Sequence, residues 1–186
     1  MKIHTDIPVT AVLMALGLIA TLALPGPAAA EPPKAPAFTL ADGEGGEVSL
    51  PAQRDGVDIY YFWATWCPFC NEVKPELDAI LRDHGEKARV FAINFRETEK
   101  NPAAYLAATG YDFQLLLDGE SIAEDYGAWV LPGVFVVDGE GRIRFNLYDN
   151  PMPNPPGYQA LDSAERAKIR APWWGARIRE AVEAAL

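Results

Sequence analysis

Apolar positions in this chain follow two different rhythms in turn. Residues 57–63, Val-Asp-Ile-Tyr-Tyr-Phe-Trp, are an almost unbroken apolar and aromatic run, the pattern of a strand buried on both faces. Residues 89–94 repeat that pattern and residues 113–117 repeat it in shorter form. After the first run the spacing changes: Val73, Leu77, Ile80 and Leu81 recur as on one face of a helix, predicting a helix over residues 67–82. Gly85 ends it, and Pro75 inside it predicts a kink. Residues 102–109 form an Ala-rich helical stretch stopped by Gly110, and residues 122–126 a short one before Gly127.

Residues 38–40 and 47–50 read as two short strands joined by a Gly-rich turn, hence a hairpin. Residues 133–137 and 142–147 form a second hairpin around Asp138-Gly139-Glu140-Gly141. Residues 31–37, with three prolines, predict an extended leader, and residues 149–157, with four, a loop. Residues 162–171 are helical. Pro172 is expected to interrupt them and to open a second helical segment at its first position. Strands alternating with helices imply an α/β domain, a mostly parallel central sheet covered by helices, with the closing hairpin adding antiparallel strands at one edge. No repeat and no second domain is visible.

The first 30 residues do not fit this plan. Lys2 and His4 open a polar start, residues 9–24 are an apolar stretch of 16, Pro25-Gly26-Pro27 breaks it, and Ala28-Ala29-Ala30 offers small residues for cleavage. This is the pattern of a secretory signal peptide cut after Ala30. The apolar run is short for a membrane span, which needs about 20 residues, so an uncleaved N-terminal anchor is the competing reading. The domain proper is residues 31–186, exported to the periplasm or held at its inner membrane.

The formal net charge is −10 over 186 residues, with 49% hydrophobic residues. Phosphate binding needs clustered Lys and Arg, so nucleic acid and anionic lipid surfaces are poor partners. Two cysteines, Cys67 and Cys70, are separated by two residues. Disulfide scaffolds spread more cysteines along a chain. Export places this pair where disulfides persist.

Cys67 falls where a strand gives way to a helix. A helix N-terminus offers unpaired N–H groups and a partial positive charge, and both favour the thiolate, the reactive form. Cys70, one turn later, lies inside the helix. Cys67 is therefore the attacking thiol and Cys70 the resolving one: Cys67 forms a mixed disulfide with a partner, and Cys70 attacks that bond and releases the partner reduced. Pro68 suits the first turn. Trp66 and Phe69 flank the sulfurs with apolar surface on which a substrate peptide can lie, or against which the core can pack.

Plainer readings compete. A structural disulfide closing so small a loop restricts the unfolded chain by only about 2 kcal/mol. Structural zinc needs four ligands, and the histidines are His4, in the cleaved segment, and His84, at the far end of the helix. A Cu(I) metallochaperone would use Cys67 and Cys70 with Met152, but the methionine sits between two prolines with no histidine nearby. No metal or other cofactor is expected. Thr65 and Cys67 lack the Thr-x-x-Cys spacing of peroxiredoxins.

The run Phe62-Trp63-Ala64-Thr65-Trp66-Cys67-Pro68-Phe69-Cys70 resembles the active-site signature of thioredoxin-like proteins, most closely the exported TlpA/ResA/CcmG (DsbE) branch. Pro75, Asn94, Tyr126-Gly127 with Leu131-Pro132, and Phe135-Val136-Val137-Asp138 with Gly141-Arg142-Ile143 match further motifs in order. The resemblance covers about residues 36–147.

It implies a thioredoxin fold with a central mixed β-sheet flanked by α-helices and an N-terminal β-hairpin extension. It also implies a cis bond between Leu131 and Pro132, in a loop that faces the cysteines and offers backbone groups to substrate. The function implied is thiol–disulfide exchange with exported proteins, as a reductant in cytochrome c maturation or periplasmic thiol reduction, recharged by a membrane electron donor. A disulfide-donating oxidase is the alternative, because the Cys-Pro-Phe-Cys sequence alone does not fix the potential.

Three departures stand out. Thioredoxin has a buried aspartate where this chain has Tyr61, and its lysine partner aligns near Ala92. The family's threonine after the cis-proline is Gly133. Glu97, past the strand ending at Asn94, is the available carboxylate for proton transfer at the site mouth, with a solvated loop position as the plainer outcome.

Overall fold

A computed structural model describes residues 1–2, 30–98 and 101–186. The chain divides into two units, Met1–Glu31 and Pro32–Leu186. The signal segment expected over residues 1–30 lies, apart from residues 1–2 and 30, outside the described residues. Among the described residues no helix is long and apolar enough to cross a membrane.

The second unit is built on a five-stranded sheet. β1 (Phe38–Ala41) and β2 (Glu47–Leu50) form the expected separate antiparallel hairpin. β3 (Val57–Trp63) lies at the centre of the main sheet, parallel to β4 (Ala88–Asn94) and antiparallel to β6 (Gly133–Val137). β5 (Gln114–Leu116) extends the sheet beyond β4, and β7 (Ile143–Asn146) closes the other side, giving the order β5-β4-β3-β6-β7. This is the mixed sheet expected, with its antiparallel hairpin at one edge. Every residue of β3 is buried, which is why its sequence shows no polar alternation.

α1 (Pro68–His84) follows β3, and α2 (Pro102–Ala107) and α3 (Glu120–Ala123) flank β5. α1 runs through Pro75 and ends at Gly85, whose N–H closes on the Leu81 carbonyl. The leader does more than extend. Ala35 donates to the Gly141 carbonyl and Ile143 to that of Pro33, so residues 33–35 line the turn leading into β7. An edge strand leaves backbone groups unpaired, and a proline-rich segment satisfies some of them without offering an edge of its own.

One expectation fails. Pro172 does not split the last helix: α4 is a single helix, Ser163–Ala185. A proline inside a helix costs about 3 kcal/mol through a lost hydrogen bond and a clash with the carbonyl four residues back. Here Pro172 and Lys168, whose carbonyl is freed, are both exposed, so water can take that group. On the opposite side Ala167, Ala171, Trp174, Gly175, Ile178 and Val182 form one buried stripe continuing past the proline, and each large apolar side chain so buried contributes about 1.5–3 kcal/mol. Packing on both sides of Pro172 outweighs the local cost. The helix is also well started: Asp162 and Glu165 form a reciprocal capping box. α4 packs closely on α1, and a Cβ at Gly175 would lie 2.8 Å from that of Glu76.

Candidate functional site

Cys67 caps α1. Its backbone is extended, its sulfur accepts the Cys70 N–H at 3.1 Å, and Pro68 takes the first helical turn, where its missing N–H costs nothing. Cys67 and Cys70 are joined in a disulfide with their Cα atoms 5.2 Å apart. Cys70 is fully buried and Cys67 retains 2% of its surface, so in the disulfide form the difference in access between the two sulfurs is small. The Cys70 carbonyl accepts the Tyr61 hydroxyl at 2.8 Å. Tyr61, at the place of the thioredoxin aspartate, thus anchors the first turn of α1 from below. Burial, and secondarily Tyr105, push its hydroxyl pKa far up, so it acts as a neutral donor.

Leu131–Pro132 is cis. Two observations tie the loop carrying it to the surroundings of the active-site run. Gly133 pairs with Phe62 across β3 and β6, next to the start of the active-site run, and Leu131 packs against the cluster containing both cysteines. A second cis bond, Leu50–Pro51, had no sequence signal. The departure at Gly133 has a steric reason: a Cβ there would lie 2.7 Å from the Tyr148 hydroxyl, which donates to the Val130 carbonyl at 2.5 Å. Tyr148 props the proline loop from the space a threonine would occupy. Desolvation pushes its pKa up to about 12 against the opposing effect of that bond, so the hydroxyl keeps its proton.

Trp66, next to Cys67, and Trp129 and Val130, which precede Leu131–Pro132, are exposed. Trp66 Nε1 donates to the Arg96 carbonyl at 2.8 Å, and Arg96 reaches the Trp129 carbonyl at 3.4 Å. Arg96, at φ 57° in the left-handed region, has its N–H on Glu120 at 2.5 Å. It therefore ties the active-site turn to the proline loop. Phe69 is only partly buried and lies 6.0 Å from the Trp174 ring, so its packing role is met by α4, and Trp174 itself is buried.

Glu97 is not left in solvent. Its carboxylate accepts the Thr65 N–H at 3.0 Å, the Thr65 hydroxyl at 2.8 Å and the Asn94 amide at 3.3 Å. Partial burial works against its ionisation, but these bonds, with one from Thr98, prevail and hold its pKa below the usual carboxylate value. Thr65 precedes Cys67 by two residues, so Glu97 grips the turn that sets the first sulfur.

Lys74 escaped sequence reasoning. It belongs to α1 one turn beyond Cys70 and is 2% exposed. Its ammonium sits 4.3 Å from the centre of the Trp63 ring and 4.6 Å from that of Tyr105, and donates to Asn71 Oδ1 at 2.9 Å. Desolvation lowers its pKa to about 8, with Glu97 opposing. The one signal in the sequence was its phase: Lys74 follows Cys70 by four residues and falls on the buried face. Met152, weighed as a copper ligand, lies in the segment between β7 and α4. Among the described residues no three His, Cys, Asp or Glu side chains gather as a metal site. A groove of about 890 Å³ lies between the β1–β2 turn, the end of α1 and β5, and neither cysteine lines it.

The sequence profile of the AhpC/TSA family matches residues 33–146. The chain belongs to the AhpC/TSA family. Within it, the thioredoxin-like protein YneN of Bacillus subtilis is 32% identical over 114 residues, 60% of this chain and 67% of that protein. The thiol:disulfide interchange protein DsbE of Allochromatium vinosum is 33% identical over 128 residues, 61% and 69% of the two chains. The thioredoxin domain of a thiol-disulfide oxidoreductase from Bacteroides vulgatus superposes with a TM-score of 0.55 at 21% identity, over 63% of this chain and 88% of that one. The fold of this family member is thus the thioredoxin fold, and its relatives are of the DsbE/ResA type that its active-site run resembles.

Proposed function

We propose that this chain is a thiol–disulfide oxidoreductase of the DsbE/ResA type, that Cys67 is its attacking thiol and Cys70 its resolving thiol, and that it reduces disulfides of exported proteins. The observation that carries the reading is the Cys67–Cys70 disulfide at a helix N-terminus, with Cys67 as the cap. In the dithiol form the same N–H that now meets Cys67 Sγ supports its thiolate, and the end of the helix adds a favourable field. Attack on a partner disulfide forms the mixed disulfide. Cys70 then attacks Cys67 Sγ, closes the disulfide, and the partner leaves as a thiol with both electrons.

Pro132 and Leu131 present backbone beside the sulfurs, and Trp66, Pro68 and Phe69 supply apolar contact for an extended substrate segment. Apocytochrome c or its maturation factors fit as substrates by analogy with the relatives' type, and a membrane electron donor would restore the dithiol. A signal peptide over residues 1–30, cleaved or kept as an anchor, belongs to the same proposal.

Trapping in cells tests it. Cys70→Ala is expected to accumulate mixed disulfides at Cys67 that vanish on reduction and do not form in Cys67→Ser. Equilibration with glutathione fixes the direction: a reductant ends with its own disulfide formed, an oxidase with its dithiol. If Cys70→Ala gathers no adducts and the wild type fails to speed insulin reduction by dithiothreitol, the exchange reading is wrong.

A further inference from the structure

Cys70 must lose a proton before it can attack, yet none of its surface reaches water. Among the described residues, the following groups surround it. From β3, Tyr61 gives its hydroxyl to the Cys70 carbonyl. From α2, Tyr105 bonds Asn71 Oδ1 at 3.1 Å. Glu97, past the end of β4, is held by Thr65 and Asn94. On α4, Arg179 pairs with Asp83, Arg177 with Glu180, and Arg170 bonds Tyr158 and Asn154. Lys74 is the base among them, and residues four apart on a helix lie about 6 Å apart on the same face.

Resting on the exchange reading above, we propose that Lys74 is the general base that takes the proton Cys70 gives up and so makes the buried resolving thiol nucleophilic. In the mixed disulfide, Lys74 as the free amine takes the Cys70 Sγ proton and becomes an ammonium. The sulfur's electron pair forms the Cys67–Cys70 bond as the bond from Cys67 to the partner sulfur breaks. The partner leaves as a thiolate with the electron pair of the broken bond and is protonated from water, and Lys74 returns its proton to solvent.

Three features suit Lys74 to this. Burial lowers its pKa to about 8, so amine and ammonium are both accessible near neutral pH. The faces of Trp63 and Tyr105 receive the ammonium once formed. The nearby carboxylate of Glu97 supports that charge. With its own pKa held low by four hydrogen-bond donors, Glu97 is a weak proton acceptor at neutral pH, and its part in proton transfer runs through Lys74. The pair sits on different elements from the aspartate and lysine positions of thioredoxin, where this chain has Tyr61 and Ala92.

The two steps separate when the reduced protein reacts with dithiobis(nitrobenzoate). A first burst of thionitrobenzoate reports attack by Cys67, and a second, absent from Cys70→Ala, reports resolution by Cys70. In Lys74→Met the second burst is expected to slow at least about tenfold near neutral pH and to lose its inflection near the lysine pKa, with the first changed less than about twofold. A side-chain NMR titration of the wild type provides a second reading that needs no variant. The Lys74 inflection is expected to move upward from the disulfide to the dithiol form, because a thiolate one turn away favours the ammonium. A second burst unchanged in Lys74→Met, or a Lys74 titration that ignores the redox state, overturns the proposal. Absence of the first burst in the wild type would instead remove the exchange reading beneath it.

Discussion

Tyr60 and Phe62 point to one side of β3 and Tyr61 and Trp63 to the other, and the two sides differ in kind. On the first side, Tyr60 meets Phe38, Phe91 and Tyr126, and Phe62 meets Phe95, Tyr126 and Phe135, mostly edge to face with centroids about 5.6–6.4 Å apart. That cluster includes no cysteine, and the cations beside it are Arg89 over Phe91 and Arg96 over Phe95. On the second side Tyr61 and Trp63 pack beside Cys67, Cys70 and α1, with Lys74 over the Trp63 ring and Glu97 beyond Thr65. Neighbouring residues of one strand thus serve a dry aromatic lattice and a polar redox pocket. Edge-to-face pairs contribute about 0.5–1.5 kcal/mol beyond their buried area. The lattice is suited to hold β3 rigid, while the other face carries groups whose burial costs stability. The Tyr60 hydroxyl, buried without a hydrogen-bond partner among the described residues, is the cost visible on the aromatic side.

The comparison breaks if damage to the lattice reaches the chemistry directly. Phe135, 2% exposed, touches Phe62, Tyr126 and Tyr148. Phe135→Ala is expected to destabilise the fold by about 3–5 kcal/mol in denaturant titration, through lost burial and a cavity. The folded fraction should keep the wild-type rate of attack by Cys67. A rate that falls further than the folded fraction does would mean the two faces are not separable.

Much of this division was legible in the sequence, and the reasons for the gaps are specific. The buried run of β3, the helix after it and the Cys67–Pro68 start are local patterns, so spacing alone placed them. α4 was misread because a proline's local cost is visible in sequence, while a buried stripe against α1 is a tertiary quantity. Lys74 was passed over because a lysine reads as solvated, and only the stacked rings of Trp63 and Tyr105, from β3 and α2, make room for it. Glu97 was placed near the site by the rule that parallel strands end on one side, but its grip on Thr65 depends on the path of the loop after β4. Tyr148, distant in sequence, explains Gly133 only once β6 and β7 are paired.

Stability against pH sharpens the contrast. Lys74 has a folded pKa of about 8 against an ordinary 10.5. Between those values the unfolded chain binds a proton that the native chain does not, so stability rises with pH across that window. Below about pH 8 the cost is fully present. Lys74→Met is therefore expected to be more stable than the wild type by about 1–3 kcal/mol near neutral pH, with the gain shrinking as pH rises toward 10.5. A more stable protein with slower resolution would be a trade of function against stability at one residue. A wild type that loses stability on Lys74→Met at neutral pH would show that the aromatic cradle more than offsets desolvation.

The smallest effect belongs to Glu97, at the rim of the redox face. Its folded pKa lies below the ordinary value of 4.5 because the donors of Thr65, Asn94 and Thr98 outweigh desolvation. For a lowered carboxylate pKa the stabilisation is present above the unfolded value and lost as pH falls through the folded one. Glu97→Gln should therefore cost about 1 kcal/mol or less at neutral pH, discounted for the partial exposure of the side chain, and nothing below the carboxylate range, where the wild type is protonated. Urea titrations of both proteins at neutral and acid pH measure this. The same substitution removes the charge facing Lys74, so the Lys74 inflection should fall. A Glu97→Gln protein with an unmoved lysine titration would leave the carboxylate as a clamp on Thr65 alone, and the two polar groups of this face would be neighbours without being coupled.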